Sequence, residues 1–152
     1  MNLLLRGLLV VGVVASAGCG ALRRMEGEAE YLRQQVYDYD YAVPLDTLWL
    51  TAKQMGSEVR DEAQGEDGVR TARIGLPRLS ADGSSYTHTL YARAWTERGR
   101  SRLIFVDLRS REAPSDIFRR DVDAELDLIS RFEPDEAKRI REGAKKAGQR
   151  AR

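Results

Sequence analysis

Residues 1–18 carry a single ionisable side chain, Arg6, and they end at Cys19, the only cysteine among 152 residues. Continuous apolar sequence is confined to this one segment, so the rest of the chain must build its core from interrupted stripes. After Met1–Arg6 comes the apolar run Gly7–Ala15, then Ser16-Ala17-Gly18. A short basic start, a short apolar run and a set of small residues make the anatomy of a secretory signal. A spanning helix needs about 20 uninterrupted apolar residues, and Arg6 on one side with Arg23 and Arg24 on the other leave fewer. The segment is therefore expected to be removed rather than to span. A lone cysteine also excludes an internal disulfide framework and a multi-cysteine zinc site.

The chain holds 25 basic and 24 acidic side chains, a net charge of +1 that gives no reason to expect nucleic-acid binding. That near-balance is a sum of unlike parts. Residues 135–152 carry 7 basic and 3 acidic groups, whereas residues 19–134 are net −4. A basic end follows an acidic domain.

Hydrophobic periodicity sketches that domain. Leu22, Met25, Ala29 and Leu32 recur every three or four residues, as in a weakly amphipathic helix or charged spacer over residues 19–35. From Val36 to Val43 the period drops to two, placing Tyr37, Tyr39 and Tyr41 on one face of an expected strand, with Pro44 ending it. Leu45, Leu48, Trp49, Ala52 and Met55 then form one helical stripe, with Asp46 placed to cap its start and Gly56 to stop it. Ser57–Ala63 is a short polar strand, and Gly65-Glu-Asp-Gly68 turns it into Val69–Leu76. A second turn, Leu79–Ser85, precedes a long strand Tyr86–Thr96. Glu97-Arg-Gly-Arg100 turns that strand into Ser101–Arg109, whose apolar residues on both faces mark it as central.

Pro114-Ser115-Asp116 is expected to open a second helix with Ile117, Phe118, Val122, Leu126, Leu128 and Ile129 on its apolar face, up to a break at Pro134. Asp135–Arg152 follows as a basic helix or frayed tail. The expected fold is α+β, an antiparallel sheet of about four to five strands with helices on one face, in the order strand, helix, three strands, helix. The domains are then residues 1–18 (signal), 19–35 (spacer), 36–134 (α+β domain) and 135–152 (basic end).

Ser16-Ala17-Gly18-Cys19 resembles the lipobox of bacterial lipoproteins, with Ser16 where the pattern usually has Leu. The resemblance covers residues 1–20. It implies that Cys19 receives a diacylglycerol by thioether and becomes the mature N-terminus, its amine taking a third chain. Two or more chains make membrane attachment lasting, at ~0.8 kcal/mol per buried methylene. Gly20, where an Asp favours inner-membrane retention in enterobacterial lipoproteins, implies the outer membrane and a periplasm-facing domain. Tyr41-Ala-Val-Pro-Leu-Asp-Thr-Leu-Trp49 and the strands after it loosely resemble small periplasmic α+β lipoprotein domains, including those of accessory lipoproteins in outer-membrane protein assembly. That likeness speaks to architecture more than to task.

Residues able to carry chemistry are few. His88, the only histidine, lies on a strand without an evident partner. No G-x-S-x-G, S-x-x-K, H-E-x-x-H or phosphate-binding glycine loop occurs, and Ser84 and Ser85 fit turn chemistry. Asp38 and Asp40, and Asp61, Glu62, Glu66 and Asp67, are acidic pairs of the type a glycoside hydrolase would aim into one cleft, but such pairs in a highly charged chain are more often solvated. Tyr37, Tyr39 and Tyr41 on one strand face, and Tyr91 and Trp95, four apart on another, offer an aromatic contact surface for protein or glycan, the alternative being packing in the core or on the sheet face. Lys138, Arg139, Arg141, Lys145 and Lys146 offer a cationic one. The expected role is non-catalytic binding or accessory work in the envelope, needing no cofactor or metal, with a protein or anionic-polymer partner and no small-molecule substrate. The alternative is a hydrolase directed at peptidoglycan.

Overall fold

The structure, a computed structural model, describes residues 2–109 and 119–151, with side chains from residue 20 onward. Among these residues the order is α1 (Asn2–Tyr37), α2 (Leu45–Met55), β1 (Glu58–Gln64), β2 (Arg70–Leu79), β3 (Ser85–Glu97), β4 (Arg100–Val106), α3 (Val122–Phe132) and α4 (Pro134–Arg150). The four strands form one antiparallel sheet in sequential order, so the class is α+β, as the periodicity implies. The chain divides into two compact units, residues 36–137 and residues 1–35 with 138–152.

In the sheet unit, alternation sorts the side chains. Ala72, Ile74 and Leu76 of β2, Leu90, Ala92 and Ala94 of β3, and Leu103 and Phe105 of β4 are all buried on one face. Leu48, Trp49 and Ala52 of α2, with Ala124, Leu126, Leu128 and Ile129 of α3, complete this core. Each large side chain removed from water there contributes roughly 1.5–3 kcal/mol. Trp49 keeps its polar edge satisfied by donating Nε1–H to Glu62 of β1 at 2.7 Å, and Lys53 Nζ meets the same carboxylate at 2.9 Å. This clip ties α2 to the edge strand.

Several expectations change. The strand Val36–Val43 does not form: α1 runs through Tyr37, and only Tyr41 bridges the sheet, exchanging backbone hydrogen bonds with Ser101. The helix-forming residues before Val36 carry the helix past the point where alternation starts. Tyr41 is then buried edge-on between Tyr39 and Phe132, at ring separations of 5.1 and 5.7 Å. Asp46 caps nothing; Pro44 stands at the N-cap of α2, and Asp46 pairs with Arg70. β2 continues through Pro77, which pairs with Thr87. The β1–β2 ladder stops at Glu58 opposite Gly75, so proline's missing N–H falls beyond the end of β1.

β4 lies at the end of the sheet rather than its centre, because its outer edge is capped by short pieces instead of a strand. Tyr41 takes one end and Arg120 the other, as isolated bridges. Between them Glu125 of α3 accepts the Phe105 N–H at 3.2 Å, a side chain doing what a neighbouring strand would do. The start signals Pro114–Asp116, with Ile117 and Phe118, lie outside the described residues. The helix of that region, α3, starts at Val122, where Asp121 accepts the Ala124 N–H at 2.8 Å, a cap worth about 1 kcal/mol. Arg120 is in a bridge just before it, so no single helix runs from 116 to 131.

The second unit holds the described part of α1 before Val36 and the basic end, which is a helix, α4. Gly27 meets Ala147 and Ala151, Gly148 meets Arg24 and Glu28, and Gly143 meets Tyr31. Partners fall in number along α4 as they rise along α1, so the two helices run antiparallel. Their glycines allow the close approach: a Cβ on Gly148 would lie 2.8 Å from the Arg24 carbonyl oxygen. Among the described residues no helix is long and apolar enough to cross a membrane.

Candidate functional site

With Leu90, Ala92 and Ala94 turned into the core, Tyr91, Arg93 and Trp95 must project from the opposite face of β3. The Arg98–Gly99 turn, both residues at positive φ (52° and 77°), fixes the register with β4. That register sets Tyr91 opposite Val106, Arg93 opposite Ile104 and Trp95 opposite Arg102. Together with Tyr37, Asp38, Leu108, Arg119 and Arg120 these side chains line an open groove of about 420 Å³. The structure thus brings the predicted pair Tyr91 and Trp95 into one surface.

Arginines frame that surface. The Arg93 and Arg102 guanidinium groups lie 5.5 and 5.9 Å from the Trp95 ring centre, and Arg120 lies 5.3 Å from that of Tyr37. Such contacts contribute about 0.5–1 kcal/mol each when exposed and orient the rings. Arg102 is held from its other side by Glu97 at 2.6 Å and Asp38 at 3.0 Å. Arg120 is more deeply fixed. Its Nη atoms donate to the Tyr37 and Val36 carbonyl oxygens at 2.8 and 2.9 Å, its Nε to Glu125 at 2.9 Å, and the pair is almost fully buried. Burial pushes the Glu125 carboxyl up to about 7 despite the opposing pull of Arg120. The groove therefore offers aromatic faces and guanidinium edges on a rigid sheet. It can grip a flat or apolar group and pair with a carboxylate or phosphate, and among the described residues it presents no nucleophile aligned with a base.

Sequence reasoning missed Arg93, Arg102 and Arg120; Tyr37 was named for an aromatic surface, but on a strand that does not form. Arg93 sits between Tyr91 and Trp95 at the same two-residue period and was visible. Arg102 follows from the turn, since Glu97 opposite Arg100 forces Trp95 opposite Arg102. Arg120 carries no comparable signal, because the contacts that bring it here span over 80 residues.

The other candidates fall elsewhere. Lys138, Arg139, Arg141, Lys145 and Lys146 are exposed on α4, in the other unit, where Arg139, Lys146 and Arg150 line a shallow groove with Tyr31 and Glu142. Cys19 is helical backbone midway along α1, its side chain outside those described. His88 is on the helix-covered face at the end of the core, its Nε2 3.5 Å from Asp107 and 3.7 Å from Asp121. Arg78 shares Asp121 at 3.3 Å and reaches Asp127 at 3.6 Å, making a mixed-charge cluster. The acidic pairs face cations: Asp38 meets Arg102, Asp40 meets Arg100 at 2.8 Å, Asp61 meets Arg73 at 3.3 Å and Glu62 meets Lys53. Ser84 donates its N–H to Asp82, whose carboxyl is held down to about 2 by Ser80 first and Ser84 next. Among the described residues no group of three or more His, Cys, Asp and Glu is arranged to hold a metal ion.

No family model, no curated protein and no solved structure matches the chain. Its own geometry is what a function must be drawn from.

Proposed function

We propose that this chain is a bacterial lipoprotein of the cell envelope, anchored through acyl chains on Cys19 at the outer membrane and facing the periplasm. In this role its sheet unit binds an envelope partner without catalysis. The observation that carries the binding role is the groove on the open face of the sheet, where Tyr91 and Trp95 stand on either side of Arg93 and Arg102 closes on Trp95. Aromatic rings with arginine at their margins concentrate contact energy when a partner covers them. The anchor rests on Ser16–Cys19 and the apolar segment before it.

Two measurements on one preparation test this. Mass spectrometry of the mature N-terminus is expected to find an acylated Cys19; an unmodified Cys19 within an uncleaved chain overturns the anchor. Crosslinking in intact cells is expected to give a defined adduct that Trp95→Ala and Tyr91→Ala each weaken about tenfold or more while leaving the unfolding free energy in urea within about 1 kcal/mol, as surface changes do. An adduct indifferent to both substitutions overturns the groove as the contact.

A further inference from the structure

We infer that the α1–α4 hairpin is a membrane-contacting foot, in which cations bind anionic lipid headgroups while Leu22 and Met25 enter the boundary below them; this rests on the lipid anchor at Cys19. The fold sorts charge more sharply than the sequence does. The unit made of residues 1–35 and 138–152 holds 11 basic and 4 acidic side chains, net +7, and the sheet unit holds 14 and 20, net −6. Losing residues 1–18 removes only Arg6 from the first sum. The unit that carries the anchor is thus the cationic one.

The antiparallel packing decides which cations lie near the anchor. Ala151 meets Gly27, so the last turns of α4 return toward the beginning of α1. Gly27 is eight residues past Cys19, about 12 Å along a helix. Arg23, Arg24 and Arg150 therefore lie at the anchor-proximal end, where Arg24 pairs with Glu28 at 3.1 Å, and Lys145 and Lys146 follow about a turn further along, level with Glu28 to Tyr31. Long side chains and a screening length of about 8 Å bring them within range of a charged surface. Two apolar side chains share that end. Leu22 is 62% exposed and Met25 66% exposed, three residues apart and hence on one face of α1. Neither contributes to a core. An anionic polymer would use the cations alone, whereas a lipid surface uses both sets, as interfacial helices do. The sheet unit, at −6, gains nothing from the same surface.

The test uses the mature acylated chain, with acylation verified by mass spectrometry. Donor vesicles of phosphatidylcholine, with or without phosphatidylglycerol, carry the protein, and its transfer to neutral acceptor vesicles is timed. Departure from anionic donors is expected to be slower by about tenfold or more at low salt, and Lys145→Gln/Lys146→Gln/Arg150→Gln or high salt abolishes that difference. Leu22→Gln/Met25→Gln is expected to speed departure from both kinds of vesicle. Circular dichroism shows that each variant keeps its helices; a variant that loses them is replaced by the single Lys146→Gln or Met25→Gln, read the same way. Equal departure from both vesicles by an acylated chain overturns the foot and leaves the anchor standing, while an unacylated Cys19 overturns both. Cation-dependent retention on purified cell-wall polymer, with Leu22 and Met25 without effect on vesicles, overturns it in favour of polymer binding.

Discussion

Glu125 is the buried charged residue of the sheet unit among those described, and it ties α3 to β4. It accepts the Phe105 N–H, closes on Arg120, and through Arg120 fixes the carbonyls of Val36 and Tyr37 beside the groove. Removing one partner of a buried pair strands the other, at a cost of about 3–5 kcal/mol, so Glu125→Leu is expected to be among the most damaging single changes. Its titration has a definite sign. A carboxyl raised from 4.5 to about 7 holds its proton more tightly in the folded chain. Its contribution to stability is therefore fully present below about 4.5 and is lost as pH rises through about 7. Relative to Glu125→Gln, the wild-type urea midpoint should fall across that window; a constant offset between the two would show that Glu125 titrates at its ordinary value. Nothing in the sequence near Glu125 marks it, since it falls among Asp123, Asp127 and other surface charges of the same helix. Its burial comes from where α3 lands, against the unpaired edge of β4.

At the scale of elements, local rules held where a stripe or a turn had no competitor. The α2 stripe, the Gly65–Gly68 and Arg98–Gly99 turns, and the break at Pro134 all stand where the residues place them. They gave way where two patterns overlapped, as at Val36–Val43, where strand alternation met the end of a long helix. They also gave way over β4, whose two apolar faces signal burial without saying what covers them. One face is core and the other is the groove. The packing of α1 on α4 rests on Gly27, Gly143, Gly148 and the alanines between, residues that look featureless until two helices must touch. Gly148→Val should force them apart, because its Cβ meets backbone at Arg24 as well as the Glu28 side chain. Overpacking of that type costs about 1–3 kcal/mol. Hydrogen exchange should show lost protection in residues 24–31 and 143–150 with β2 and β3 unaffected; unchanged protection in the hairpin would mean that the helices pack some other way.

For the molecule as a whole, the proposed anchor is the reading with the widest consequence. Lipoprotein maturation acts on the thiol, so Cys19→Ala should accumulate as an uncleaved precursor, heavier on a gel by the length of the leader. Normal processing of that variant would remove the lipobox from consideration. The sequence by itself determined the class of fold, because period and turn chemistry act over a few residues, and it is the source of the proposed leader and of the cysteine that would end it. It also placed Tyr91 and Trp95 together, since alternation along a strand is local. The tertiary structure alone decided that β4 is an edge, that Arg120 and Glu125 seal it, and that the basic C-terminal helix returns along α1. Those outcomes depend on contacts between residues 20 to more than 100 positions apart, and the free energy that selects them belongs to the packed core and to no single segment.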